Sequence, residues 1–141
     1  MTATDSVRRP LVLVVEDDDA IAGAISIVVS KVGGEPRRGS DGLSGLELFF
    51  EHPFELVILD IGLPGLDGWE VLKRIREVSD VAVLIVTASI LDDGQLRGAT
   101  DYVAKPFSIK DLGSRIADLL ESSARQADDE PTQREDSDTD E

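Results

Sequence analysis

Phe54–Glu55–Leu56–Val57–Ile58–Leu59 runs directly into Asp60, and Asp60 into the glycine-rich stretch Ile61–Gly62–Leu63–Pro64–Gly65–Leu66–Asp67–Gly68. A run this apolar, broken only by Glu55 and bounded by glycine and proline, reads as a strand buried on both faces, the habit of a parallel sheet. Two more runs have the same build. Leu11 to Val15 (LVLVV) ends on four consecutive acids, Glu16, Asp17, Asp18 and Asp19, and Val81 to Val86 (VAVLIV) ends on Thr87. Tyr102 to Ala104 is a shorter strand that ends on Lys105-Pro106. Glu35 to Arg38 (EPRR) is a poor strand whose proline and charges suit a sheet edge.

Helical patterns alternate with these strands. Ile21, Ala24, Ile25, Val28 and Val32 recur at helical spacing before Gly33-Gly34 stops the turn. Ser40 is placed to cap a second helix through Phe50, with Leu43, Leu46 and Phe50 on its apolar face. Trp69 to Val78 reads as a third, striped by Trp69, Leu72 and Ile75. Ser108 with Asp111 gives a capping-box-like start to a last helix, which Ile109, Leu112, Ile116 and Leu119 make amphipathic. Between Ser89 and Gly98 the helical character is weak, because Gly94 interrupts it. Alternation of this kind predicts an α/β fold, an open five-stranded parallel sheet with helices on both faces, doubly wound in the order 2-1-3-4-5.

Composition narrows the function. The chain has 141 residues, 41% of them hydrophobic, which suits one domain of common size. It has no cysteine and a single histidine, His52, so disulfides, thiolate metal sites and histidine-cluster zinc sites are excluded. No apolar run nears the roughly 20 residues of a membrane span, and MTATDSVRRP lacks the apolar centre of a secretory signal. A cytoplasmic protein without membrane contact is expected. The formal net charge is -15, and Ala127 to Glu141 holds eight acids against one arginine. Such charge repels phosphate backbones, so no nucleic-acid binding by this chain is expected. The polar, acidic, aperiodic end predicts a disordered tail over 124–141, behind a domain at 10–123 and an N-terminal extension at 1–9.

In doubly wound sheets a site forms at the carboxyl ends of the strands, near the topological switch. Glu16 and Asp17 stand at the first such end, Asp60 at the third, Thr87 at the fourth and Lys105 at the fifth. Several carboxylates brought close repel one another unless a cation intervenes. Mg2+ resolves this, since it takes oxygen ligands and needs only one or two protein carboxylates beside water and phosphate. A carboxylate can itself be a nucleophile toward phosphorus, with Lys105 neutralising phosphoryl oxygens and Thr87 donating a hydrogen bond. Asp18 and Asp19 read as helix N-terminal charges rather than ligands, and Gly68 as a structural glycine. Trp69 and His52 receive no role.

VVEDDD, LVILDIGLPGLDGWEVL, VLIVTAS and DYVAKPF together resemble the four signature segments of bacterial response-regulator receiver domains, over about Leu11 to Ser122. The resemblance implies a flavodoxin-like sheet and a role in two-component signal transduction. It implies Asp60 as phosphoacceptor and Asp17 as a direct metal ligand, with Glu16 acting mainly through water. The backbone carbonyl of Gly62 would complete the metal site. Thr87 would be the switch hydroxyl, Tyr102 the switch aromatic, and Lys105 the phosphoryl-binding cation before a cis Pro106. Partners are then a histidine kinase or phosphotransfer protein and an unknown downstream protein. The chain would be no enzyme beyond its own phosphorylation and dephosphorylation. Too few residues follow the last helix for an output domain, so a single-domain regulator is expected, with a phosphorelay intermediate or a pseudo-receiver binding module as the alternatives.

Two departures from the family's pattern stand out. Gly62 replaces a side chain the family often carries beside the phosphoryl group. The stretch from Thr87 to Lys105 is about one helical turn shorter than usual, which predicts a shortened or missing fourth helix. Haloacid-dehalogenase-type phosphatases also use a strand-end aspartate, but carry a second aspartate two positions on. Gly62 occupies that position here, which argues against turnover of external phosphate esters.

Overall fold

A computed structural model of the chain describes residues 9–88 and 96–140, with side chains as far as Arg125. The strands are β1 (Leu11–Val15), β2 (Glu35–Gly39), β3 (Leu56–Asp60), β4 (Ala82–Thr87) and β5 (Asp101–Ala104). They form one sheet in the order β2-β1-β3-β4-β5, parallel throughout. This is the predicted order, with EPRR on the edge as its proline and charges required. The described helices are α1 (Asp19–Lys31), α2 (Gly42–Glu51), α3 (Gly68–Arg76) and α4 (Ile109–Asp140).

Strand alternation sends side chains to two apolar layers. Val12, Val14, Ile58, Leu84 and Val86 pack with Ile25, Val28 and Val29 of α1 and Leu112 and Ile116 of α4. Leu13, Val15, Val57, Leu59 and Ile85 pack on the other face with Leu46 of α2 and Val71, Leu72 and Ile75 of α3. All five residues of β3 are buried, as the opening run of the sequence required.

Caps fix where each helix begins. Asp18 accepts from the Ile21 amide at 3.0 Å, Asp67 from Glu70 at 3.0 Å, and Ser108 from Asp111 at 2.9 Å. The cap of α2 is Asp41 and not Ser40: its carboxylate accepts from the Ser44 amide at 2.8 Å while Ser44 Oγ accepts from the Asp41 amide. An aspartate with a serine three residues on satisfies two amides at once, which Ser40 could not do from one position earlier.

The predicted apolar face of α2 also needs correction. Leu46 is buried, but Leu43 is 61% and Phe50 60% exposed. The buried side runs instead through Gly42, Gly45 and Leu46, with Phe49 partly buried against the core. A Cβ on Gly45 would meet Val15 Cγ2 at 2.8 Å, and one on Gly42 would meet the Leu66 carbonyl at 2.5 Å. The absence of side chains there brings α2 against the sheet, and the large apolar residues one position along are turned outward.

The predicted shortening or loss of the helix after Thr87 falls mostly on residues 89–95, which lie outside the described residues. From Leu96 the chain is a turn, with Arg97 at φ 54° and Gly98 at φ 98°. At the C-terminus the backbone of α4 is helical to Asp140, whereas the sequence predicts no order from about Ala124. The run past Ala124 includes good helix formers but also Pro131, which lacks a backbone N–H.

Candidate functional site

The carboxyl ends of β1, β3, β4 and β5 place Glu16, Asp60, Thr87 and Lys105 on one rim. The register makes this necessary. Asp60 stands beside Val86 in the β3–β4 ladder, and Thr87 beside Ala104 in the β4–β5 ladder. The Lys105 amide then donates to the Thr87 carbonyl at 2.7 Å, which carries the pairing one residue further and sets Lys105 at the site. The Lys105–Pro106 peptide is cis, as the motif implied.

Glu16 is 1%, Asp60 6% and Thr87 5% exposed. Asp17, two residues beyond the end of β1, is exposed. One carboxylate oxygen from each of Glu16, Asp17 and Asp60 lies within 4.8 Å of the others. Against these three anions stands Lys105, whose Nζ is 3.1 Å from Glu16 Oε1 and 3.5 Å from Asp60 Oδ2. The second oxygens are held by backbone: Glu16 Oε2 accepts from the Asp18 amide at 3.2 Å, and Asp60 Oδ1 from the Gly62 amide at 3.1 Å.

Burial pushes the Glu16 carboxyl above its ordinary range. The hydrogen bonds from Asp18 and Lys105 oppose that shift and the Asp60 charge adds to it. For Lys105, burial disfavours the charge, but the hydrogen bond and charge of Glu16, joined by Asp60, outweigh it and hold the ammonium above its ordinary value. Lys105 is therefore a permanent cation at neutral pH, shared between two carboxylates.

This balance leaves an excess of negative charge. Three carboxylates against one ammonium suit a small, hard divalent cation. Glu16 Oε1 is a second indication: it is buried, and the partner found for it among the described residues is the Lys105 ammonium 3.1 Å away, which it shares with Asp60. The donor set is all oxygen, so it fits a hard ion such as magnesium, calcium or manganese rather than zinc or copper.

Tyr102 is half-buried on β5 opposite Ile85 and packs against the α2–α3 side of the core. Gly62 is exposed, and a Cβ there would meet only Asp60 Oδ1, at 3.9 Å. Gly68 is tightly enclosed: a Cβ would lie 2.4 Å from the Asp60 carbonyl and 2.6 Å from Ile61 Cα. Its amide donates to the Ile61 carbonyl at 3.1 Å, tying the start of α3 to the end of β3.

One contact of this rim escaped the sequence reading. Arg38, in the strand read only as a poor edge, donates to the Glu16 carbonyl from Nε at 3.1 Å and Nη2 at 2.9 Å. Its Nη1 reaches Asp19 Oδ1 at 2.8 Å. An arginine on the strand that neighbours the acid-bearing one was the available signal.

A doubly wound parallel sheet with a carboxylate cluster and one lysine at the strand ends defines a class of α/β domain built for anion and metal chemistry at its rim. The chain matches the response regulator receiver domain over residues 12–117 and belongs to that family, the phosphoacceptor family of two-component signal transduction. It is 36% identical over 124 residues to the transcriptional regulatory protein AfsQ1 of Streptomyces coelicolor, covering 85% of this chain and 55% of that protein. To the regulatory protein VanRB of Enterococcus faecalis it is 38% identical over 116 residues, 79% of this chain and 53% of that protein. The chain thus spans about half the length of the curated relatives it matches. Among solved structures it resembles the receiver domain of Francisella response regulator 1452, with TM-score 0.75 and 30% identity over 82% of this chain and 99% of that one. The BeF3-activated DrrB receiver domain is similar at TM-score 0.72 and 30% identity, covering 81% and 99%.

Proposed function

We propose that Asp60 accepts a phosphoryl group from a phosphohistidine, carried by a histidine kinase or a phosphotransfer protein, and that the phosphorylated domain signals through a changed protein-binding surface. The observation that carries this is the setting of Asp60. It is a buried strand-end carboxylate 3.5 Å from Lys105 and clustered with Glu16 and Asp17.

In this reading a carboxylate oxygen of Asp60 attacks phosphorus, forming the O–P bond of an acyl phosphate as the P–N bond to the donor imidazole breaks. The Gly62 amide, already on Asp60 Oδ1, orients the carboxylate. Lys105 moves its charge toward the phosphoryl oxygens, and the Thr87 hydroxyl donates to one of them. Asp17 and Asp60 would hold Mg2+, with the Gly62 carbonyl as a further ligand and Glu16 acting through water, and the bound ion would supply charge to offset that on the phosphoryl oxygens. Hydrolysis returns Asp60 by in-line attack of water on phosphorus. Thr87 and Tyr102 carry the state of the site outward. No helix among the described residues is long and apolar enough to cross a membrane.

Phosphodonor labelling tests the reading. With Mg2+ and a small phosphodonor the chain should gain one hydroxylamine-sensitive phosphoryl group, and Asp60→Ala should gain none. Undiminished labelling of that variant refutes Asp60 as acceptor.

A further inference from the structure

We propose that Arg38 is a positioning residue for the metal-binding loop: from the edge strand β2, it fixes the peptide that joins Glu16 to Asp17. The inference rests on the magnesium reading of the site above.

The geometry is specific. Arg38 stands beside Val14 in the β1–β2 ladder and reaches two residues further along β1. Two guanidinium nitrogens converge on the one carbonyl of Glu16, at 3.1 and 2.9 Å, and the third lies 2.8 Å from Asp19 at the start of α1. A peptide unit is planar, so holding the oxygen of residue 16 also holds the nitrogen and Cα of Asp17. The Glu16 amide is already tied to the Gly39 carbonyl at 3.1 Å, and Glu16 Oε2 to the Asp18 amide at 3.2 Å. Arg38 supplies the remaining anchor. Without it, the torsions that aim the exposed Asp17 carboxylate are free to turn, in a loop whose four successive acids repel one another. Only a planar fork makes these three contacts together; a lysine retains the charge and loses the geometry.

Two effects of Arg38 on cation binding oppose each other. As a nearby positive charge it weakens attraction for Mg2+. As an anchor it strengthens binding by removing freedom from Asp17 before the ion arrives. The anchoring effect dominates, because the charge is partly exposed and already paired with Asp19, whereas the two bonds to the Glu16 carbonyl act on the ligand-bearing peptide itself. Charge alone and anchoring therefore predict opposite signs for the same substitution.

The test is a Mg2+ titration of the full chain followed by backbone amide chemical shifts, on the wild type and on Arg38→Gln, Arg38→Lys and Asp17→Asn. Arg38→Gln should weaken Mg2+ binding roughly tenfold, the lower end of what loss of an outer-shell partner costs. Arg38→Lys should weaken it severalfold despite its equal charge. Amides of residues 17–19 should exchange faster in metal-free Arg38→Gln. Equal or tighter Mg2+ binding by Arg38→Gln overturns the proposal. Should that variant fail to fold, Arg38→Lys decides, and unchanged affinity there overturns it. If Asp17→Asn weakens binding while the Arg38 variants do not, the magnesium reading stands and the role of Arg38 falls. If Asp17→Asn also binds as the wild type does, both fall.

Discussion

At the scale of single residues the site is a problem in charge accounting, and Glu16 is where it shows. It is almost wholly buried, and burial holds its carboxyl above the ordinary range. A group whose value is raised on folding binds its proton more tightly in the folded state. Its contribution to stability is fully present below the unfolded-state value and is lost as pH rises through the folded one. Lys105 is raised too, but it titrates far above neutrality and stays charged throughout the acid-to-neutral window. Glu16→Gln removes the titration, the pull of Lys105 on ionised Glu16 being already contained in the net upward shift. In urea unfolding without divalent ions, from about pH 4 to pH 8, the variant should therefore gain stability relative to wild type as pH rises. A difference that does not change with pH would show that burial of Glu16 is not what shifts it. The positions of Glu16, Asp17, Asp60, Thr87 and Lys105 were all legible in the sequence, because each directly follows or ends an apolar run. Arg38 was not, because its partner is the backbone of a residue 22 positions away.

At the scale of elements, glycines decide how closely helices approach the sheet. Gly68 lets α3 begin against the end of β3, and its missing Cβ leaves room for the Asp60 carbonyl and Ile61 Cα. Gly68→Ala forces those backbone atoms apart. A cost of about 1–3 kcal/mol in chemical denaturation is expected, typical of overpacking, together with slower labelling of Asp60. Unchanged stability would mean that the loop yields freely. The reading of Gly68 as structural and not catalytic thus has a mechanical basis.

The other end of the chain gives the opposite expectation. Among the described residues, Leu119 and Leu120 are the last of α4 in the core cluster, and the sequence beyond Ala124 is acidic with a proline at 131. By composition that segment has little apolar surface to pack on the domain, whatever its backbone conformation. Truncation after Ala124 should leave Tm and phosphodonor labelling nearly unchanged. A marked fall in either would show that the acidic end contributes to the folded domain.

For the whole molecule, the two apolar layers and the rim share their strands, since β1 and β3 supply side chains to both layers and lead into the acids of the rim, and they should unfold as one cooperative unit. A ligand that binds only the folded form then stabilises everything. Mg2+ with beryllofluoride, which imitates the aspartyl phosphate, should raise Tm by several degrees. At a hundredfold excess over Kd the linkage is worth about 2.7 kcal/mol. Asp17→Asn and Asp60→Ala should each remove most of that rise. A rise that survives both substitutions would place the ligand elsewhere.

The amino-acid sequence by itself determined the strands, the sheet order, the helix N-terminal charges at Asp18 and Asp19, the cap at Ser108, and the rim residues. These follow from patterns among near neighbours: apolar runs too short for helices, acids or a lysine at their ends, and helical periods between them. Tertiary structure alone decided which side of α2 is buried, because Gly42 and Gly45 exert their effect only where Leu66 and Val15 come up against them. It alone set Lys105 between Glu16 and Asp60, and carried Arg38 across from the edge strand to the Glu16 carbonyl. Both depend on the register between parallel strands, and that register is set by packing among residues far apart in the chain.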